Sequence, residues 1–520
     1  MKDEIFFRDK LEDEWEANEV YAILSECDKD FEPPLSERGS TVQKTWEKKS
    51  GDGVRNYFNE VAKQHKLLLK REKKIIAFLS FRSMEECEAL KDYRDICYFT
   101  TLCIRKEYRG QGLALVLYQK AKEYVEESSR YTVMALRTWS TNKAQLHLME
   151  KMDFHCETRL KNDRGEGIDT LYFVKEITGK GIRAYGYTIG NGKCGIRNTI
   201  TDVPGVKVGH YTVRKGKNQT GVTVIIPCDG FVYERKPLAA VYALNGFGKT
   251  QGTVQIEELG VLETPIALTN TLNVGKAADG LVTFTEKECR KNGKELVSVN
   301  PVVGETNDSR INQITERVIE AEDVLFAIEH AEKNFKQGAV GAGRGTVCFG
   351  LKGGIGSASR ILMFGGTEYT IGVLVQSNFG KTQDLTVAGV PVGRQICTKI
   401  QNSAKEDKGS IMVIVGTDLP LGERQLKRVL KRAAVGLIRT GSFMGHGSGD
   451  VFIGFTNANG IPDTKEEQFH MMKYFPENQL DKVFRLVAEA VEESILNSLT
   501  CAKAMPGRDG EIYHSLSEFL

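Results

Sequence analysis

The stretch Ala404–Leu421 reads AKEDKGSIMVIVGTDLPL. A polar, charged loop meets Gly409-Ser410 and passes without a break into an apolar run, which reads as a buried strand. A serine opening a strand is commonly a turn residue. Nucleophilic use of its hydroxyl requires a base, yet no histidine lies close in sequence, and GHGSGD at Gly445–Asp450 is not G-x-S-x-G. Scission of the Gly409–Ser410 bond would supply one. The hydroxyl and a new α-amine would then belong to the same residue, and such an amine, with a pKa of roughly 7.7 to 8.0, accepts a proton near neutral pH. Glycine before the bond leaves its carbonyl open to the Ser410 oxygen, and the AKEDK segment would be a solvent-accessible loop able to move aside afterwards.

Around this strand the chain divides by glycine content. Only seven of its 52 glycines fall in residues 1–178, so a helix- and hairpin-rich first part precedes a second part with many tight turns. TGKGIRAYGYTIGNGKCGIRN, Thr178–Asn198, lies between them, which places domains at 1–178 and 198–520 and a linker at 179–197. ERQLKRVLKRAAVGLIRT, following the strand, has apolar residues at helical spacing and would cover one sheet face. Ile311–Asn334 reads as a second amphipathic stretch and Tyr474–Ser498 as a late helix, whereas Thr500–Leu520 shows no pattern.

The first part reads as mixed α/β. Lys66–Ser83 gives two strands around the charged turn KREKK, and Cys97–Tyr108 a third. RGQGLALVLYQKAKEYVEES follows as a glycine turn and helix, then TVMALRTWS as a strand, NKAQLHLMEKMDF as a helix and TLYFVKEI as a closing strand. A net charge of +2 with neither a basic stripe nor a like-charge tail points to no nucleic acid and no membrane as partner. The N-terminus is too acidic for a signal peptide and no apolar run is long enough to span a bilayer, so a cytoplasmic protein is expected. Eleven cysteines without a C-x-x-C fit reduced thiols, and the eight histidines show no metal spacing.

Arg109-Gly110-Gln111-Gly112-Leu113-Ala114 sits between a strand and a helix, where free N–H groups can hold a phosphate; a tight turn with no ligand is the alternative. From Ile5 to Ile177 the order of elements resembles the GNAT acetyltransferases, whose R/Q-x-x-G-x-G/A loop grips the pyrophosphate of acetyl-CoA. Their next helix, N-x-x-A-x-x-L-Y-x-x-x-G-F, is matched here by Asn142, Leu148 and Phe154. The resemblance implies that Leu102, Cys103 and Ile104 offer strand backbone to pantetheine while Arg109–Ala114 hold phosphates. Met149 stands where relatives carry the tyrosine that protonates the leaving thiolate, a proton a thioether cannot give, and Asp153 replaces a glycine.

The second part resembles the DmpA-type self-cleaving aminopeptidases, which include β-peptidyl aminopeptidases. The match runs from Ile196 to Asn457 through ITDVPGVKVGHYT (Ile200–Thr212), NPVVGETNDSRIN (Asn300–Asn312), KGGIGSASR (Lys352–Arg360), VQSNFG (Val375–Gly380), GSIMVIVGTDLPL and HGSGD (His446–Asp450). It implies a four-layer αββα sandwich, no metal, a homo-oligomer (tetramers in the family) and small peptide or amino-acid amide substrates. Ser410 would be the nucleophile, Asn378 the oxyanion donor, Ser448 the group orienting the Ser410 amine and hydroxyl, and Asp450 the anion holding an amine. Asp450 replaces a common glutamate, and Arg310 a common tyrosine. Plainer roles exist for each: a turn bond for Asn378, a loop contact for Ser448, a cap for Asp450, a surface ion pair for Arg310. The KGGIG segment is expected to shape the backbone at the cleft or at an intersubunit contact. An α/β multidomain enzyme follows, an aminopeptidase or amidase joined to an acetyl-CoA-binding domain. The competing readings are an acetyltransferase whose second half is a scaffold, and a non-enzymatic binding module.

Overall fold

A computed structural model describes the chain apart from residues 1–2, 39, 42–52, 85–86, 92, 94–95, 128–130, 132, 178, 401–408, 465–466 and 468. The AKEDK segment therefore lies outside the described residues. The chain falls into two units, Met1–Ile177 and Thr178–Leu520.

The first unit runs β1 (Asp3–Arg8), α1 (Glu14–Cys27), α2 (Val54–Ala62), β2 (His65–Arg71), β3 (Lys74–Met84), β4 (Ile96–Ile104), α3 (Leu113–Glu127), β5 (Val133–Trp139), α4 (Lys143–Lys151), β6 (His155–Leu160) and β7 (Thr170–Glu176). One sheet, in the order β1-β2-β3-β4-β5-β7-β6, holds all its strands. Alternation along β2 explains the two covered faces: Leu67 and Leu69 join the core beneath α3, while Leu68 packs with Val20, Ile23 and Tyr57 of α1 and α2. β4 and β5 run parallel and pair only from Ile96–Val133 to Phe99–Leu136. Beyond that point they part. Backbone groups of Thr100–Ile104 on that side are left without a ladder partner from β5.

The second unit contains β8 (Lys207–Lys215), β9 (Asn218–Ile226), β10 (Arg235–Gly246), α5 (Thr253–Leu259), β11 (Ile266–Asn270), α6 (Val274–Lys291), β12 (Val302–Thr306), α7 (Ala321–Glu329), the short pair β13 (Val347–Cys348) and β14 (Leu351–Lys352), β15 (Ile355–Phe364), β16 (Thr367–Asn378), α8 (Gly393–Lys399), β17 (Ser410–Thr417), α9 (Glu423–Arg439), β18 (Gly449–Pro462) and α10 (Leu480–Cys501). A five-stranded sheet, β10-β18-β17-β16-β15, faces a four-stranded sheet, β12-β11-β9-β8. Met412 and Ile414 of β17 pack against Leu268, Ile266 and Val208 of the second sheet, and the alternate residues Ile411, Val413 and Val415 pack beneath α9 and α10. The unbroken apolar run of β17 is thus explained, because both of its faces are buried. Helices α6 and α7 cover the far side of the four-stranded sheet through Leu281, Val324 and Ala327. This is the expected αββα sandwich.

Two expectations change. The second unit begins at Thr178, and residues 179–197 are bound to α10 instead of forming a tether: Ile182 N–H donates to Asn497 Oδ1 at 2.8 Å, and Arg183 Nε donates to Glu493 Oε1 at 2.6 Å. The amphipathic stretch Ile311–Asn334 is α-helical only over Ala321–Glu329, after a single 3-10 turn at Ile314–Glu316. Arg317 holds a left-handed φ of 51°, which interrupts a right-handed helix. Glu320 and Asp323 then form the reciprocal cap from which α7 starts.

Candidate functional site

Ser410 opens β17 between two strands. It pairs with Asn378, the last residue of antiparallel β16, and with Gly449, the first residue of parallel β18. Paired residues share a face, so the Ser410 and Asn378 side chains both turn toward the four-stranded sheet, in phase with Met412 and Gln376. Ser410 is 7% exposed, and its hydroxyl has no hydrogen-bond partner among the described residues. Gly409 is held by a close approach: a Cβ there would stand 1.8 Å from the Asn378 carbonyl oxygen and 2.6 Å from Phe379 Cα. The Gly409 carbonyl accepts the Gly449 N–H at 3.3 Å, which fixes the peptide that precedes Ser410.

Asn378 is oriented at both ends of its amide. Oδ1 accepts the Val347 N–H at 2.9 Å, so Nδ2 is the donor end and gives one hydrogen to the Asn307 carbonyl at 2.9 Å. Its second N–H remains for another acceptor. Ser448 and Asp450 flank Gly449, and the Ser448 hydroxyl donates to Asp450 Oδ1 at 2.7 Å. Register puts Asp450 in phase with Ile411, on the face opposite the Ser410 side chain. The Ser448 hydroxyl is thus directed to Asp450, and among the described residues it makes no hydrogen bond to Ser410. Arg310 is exposed; its carbonyl accepts the Arg508 N–H at 3.1 Å, and its guanidinium bonds neither Asn378 nor Ser410. The ammonium of Lys352, fully buried, donates to the carbonyls of Gly343, Thr346 and Gly353 at 3.0, 2.8 and 2.6 Å. Beside Asn307, burial pushes the Asp308 carboxyl up to about 6, although Thr220 and Asn312 donate to it.

Asn307, Val347 and Lys352 were missed as site residues in the sequence. Two of them lie inside the segments NPVVGETNDSRIN and KGGIGSASR, so the signal was a match of segments with no sign of which atoms converge.

In the first unit the gap between β4 and β5 holds a cavity of about 380 Å³, lined by Leu102–Ile104, Arg109, Gly110, Gly112–Ala114 and Asn142. Gly110 and Gly112 have φ of 75° and 78°, and nothing lies within 4 Å of where their Cβ atoms would be. Left-handed backbone and open space together suit a loop whose N–H groups receive a phosphate. Gln111 does not line the cavity; its Oε1 accepts from Arg71 Nη1 at 2.9 Å. The Arg109 guanidinium is already engaged, with Asp30 at 2.7 Å and the Ile104 carbonyl at 3.0 Å. It also donates to Cys27 Sγ at 3.2 Å. That thiol is lowered to about 7, first by a hydrogen bond from Cys103 and then, against burial, by the Arg109 charge. Asn142 caps α4, accepting the Gln145 N–H at 3.2 Å.

Met149 is fully buried in the core and does not line the cavity. Asp153, at the glycine position, has a φ of 58°, the conformation that accounts for glycine there. A phenol the sequence reading overlooked does reach the cavity: Tyr118, whose hydroxyl accepts from Gln145 Nε2 at 3.1 Å.

Comparison with known proteins agrees with this division. The acetyltransferase (GNAT) family matches residues 19–154, and peptidase family S58 matches residues 198–513. A β-peptidyl aminopeptidase of Sphingosinicella microcystinivorans is 36% identical over 343 residues, covering 61% of this chain and 85% of that one. Among solved structures, a β-aminopeptidase of a Burkholderia species is 37% identical with a TM-score of 0.60, covering 65% of this chain and 96% of its own. The L-aminopeptidase D-Ala-esterase/amidase of Ochrobactrum anthropi, a serine aminopeptidase with a variant of the Ntn hydrolase fold, is 33% identical with a TM-score of 0.61, covering 65% and 95%. With its sandwich and the central strand that Ser410 opens in that match, the chain belongs to peptidase family S58.

Proposed function

We propose that this enzyme is a serine aminopeptidase or amidase that is activated by breaking its own Gly409–Ser410 bond. The observation that carries the reading is the alignment of Asn378, Ser410 and Gly449 across three strands, with Gly409 pressed on the Asn378 backbone where no side chain fits. The Ser410 Oγ attacks the Gly409 carbonyl carbon, the C–N bond breaks, and the Ser410 α-amine is freed as an ester forms. Water then hydrolyses the ester, leaving a Gly409 carboxylate and restoring the hydroxyl. In the cleaved enzyme the amine takes the hydroxyl proton as Ser410 attacks a substrate amide, and returns it to the leaving amine. The second Nδ2 hydrogen of Asn378 meets the developing oxyanion, a contribution of about 2.7 to 4 kcal/mol. Ser448 and Asp450, bonded beside the residue paired with Ser410, receive the new ammonium.

Substrates are small peptides or amino-acid amides with a free amino end, and the relatives' activities favour β-amino ends. The first unit binds acetyl-CoA, an activated acetyl thioester, through the open N–H groups of Gly110–Leu113 and the side of Leu102–Ile104 that faces away from β3, where β5 no longer pairs. Arg109 serves that loop by bracing it to Asp30. Tyr118 stands as the proton donor that Met149 cannot be.

Intact mass measurement of the wild type and Ser410→Ala tests the first claim. Fragments 1–409 and 410–520 are expected from the wild type and one whole chain from the variant. A wild type that stays whole, and does not hydrolyse β-alanyl p-nitroanilide, sinks the hydrolase reading. Titration calorimetry with acetyl-CoA tests the second: saturable heat is expected, and none at high protein concentration defeats it.

A further inference from the structure

We infer that Lys352 is a positioning residue of the hydrolase, acting on the oxyanion donor Asn378 through a single peptide group. The inference rests on the role proposed above for Asn378. The Thr346–Val347 peptide is touched at both ends: its carbonyl accepts Lys352 Nζ at 2.8 Å, and its N–H donates to Asn378 Oδ1 at 2.9 Å. A cation on the carbonyl oxygen polarises the amide and makes its N–H a stronger donor. The same step repeats in the Asn378 side chain. A stronger hydrogen bond at Oδ1 draws electron density from the amide and makes the Nδ2 hydrogens better donors, at the end where the oxyanion forms.

Burial sharpens the effect. Lys352 has no solvent exposure, so its charge is weakly screened, and the Asn378 pair with Val347 is itself buried. Placing a lysine there carries a desolvation penalty that an apolar side chain of the same length would avoid. Its other two carbonyls, Gly343 and Gly353, lie on either side of the Thr346–Val347 turn and hold it as a rigid loop. Gly353 also donates its N–H to the Thr346 carbonyl at 3.1 Å, so that oxygen is a point where donors converge. Lys352 Nζ bonds three carbonyls, those of Gly343, Thr346 and Gly353, none of them in Ser410. Its contribution is therefore to the strength and aim of the Asn378 donor.

The test uses the full-length chain with β-alanyl p-nitroanilide. Lys352→Met is expected to lower kcat about 10-fold or more with KM changed little, because the relay matters when charge develops and not when substrate binds. Asn378→Ala is expected to lower kcat about 100-fold, and Lys352→Met added to it is expected to cost almost nothing more. Lys352→Gln, a neutral donor that can keep two of the carbonyls, guards against misfolding: it is expected to melt near the wild-type temperature and still lose kcat. A wild-type kcat in Lys352→Gln, or a double variant that loses the full product of the two single effects, overturns the relay and leaves the site reading standing. A wild-type kcat in Asn378→Ala overturns the site reading and the relay with it.

Discussion

At Gly409 the proposed self-cleavage depends on one missing carbon. With Asn378 O at 1.8 Å from a notional Cβ, alanine forces the scissile peptide away from β16. A displacement on the order of 1 Å at a reacting group can cost 100-fold in rate. Gly409→Ala is accordingly expected to slow self-cleavage at least about 100-fold, read as the fraction of whole chain in a denaturing gel over time. Cleavage at the wild-type rate would mean that the close approach has no part in the reaction. Ser410 and Asn378 were legible in the sequence as candidates because each sits in a distinct short segment. Lys352 and Val347 were not, since the role inferred for them lies in two hydrogen bonds to opposite ends of one peptide, a relation that no spacing encodes. Tyr118 was hidden differently, as an apolar position on a helix already explained as core.

Among elements, strands were easier to foresee than the helices that cover them. The strand β17 announced itself by an apolar run between polar turns, and α9 by its amphipathic spacing. By contrast, α6 carries Gly275, Gly280, Thr283 and Thr285 among its apolar residues, which blurs the helical stripe. The register that joins β16, β17 and β18 is a long-range property and could not be read locally. The attachment of residues 179–197 to α10 was equally invisible, because it depends on buried charges. Arg360, fully buried, donates from Nη2 to Glu493 at 2.7 Å, and Arg183 donates to the same carboxylate. Burial alone would raise the Glu493 pKa; Arg183, Arg360 and Asn198 outweigh it and hold the group below its ordinary value. A carboxyl depressed in the folded state stabilises above its unfolded pKa, about 4.3, and the benefit is lost as pH falls through the folded value. Glu493→Gln is therefore expected to destabilise by about 3 to 5 kcal/mol at pH 7, as removal of one partner from a buried pair does. The difference in urea midpoint from wild type should shrink as pH drops below about 4. A difference independent of pH would show that packing, not charge, sets the loss.

At the scale of the whole molecule, the position of the proposed scission at Gly409–Ser410 determines what would become of the two fragments. The proposed break falls at the first residue of β17, so the strand itself would belong to fragment 410–520. Its antiparallel partner β16 belongs to fragment 1–409, and eight residue pairs join the two from Ile371–Thr417 to Asn378–Ser410. β10, also in fragment 1–409, pairs with β18 across the other side of the later fragment's strands. The fragments thus interleave in one sheet: β10 from the first, β18 and β17 from the second, then β16 and β15 from the first. Separation would expose both faces of β17 together with the apolar sides of α9 and α10, and burial of such side chains is worth roughly 1.5 to 3 kcal/mol each. The cleaved protein is expected to elute from a sizing column as one species containing both fragments and to resolve into two bands only under denaturing conditions. Its thermal transition, followed by far-UV circular dichroism, should remain single for the second unit, because the sheet that carries the site cannot melt in one fragment without the other. Fragments that elute apart under native conditions would contradict the interleaved sheet and, with it, the mutual placement of Asn378 and Ser410 on which the proposed chemistry depends.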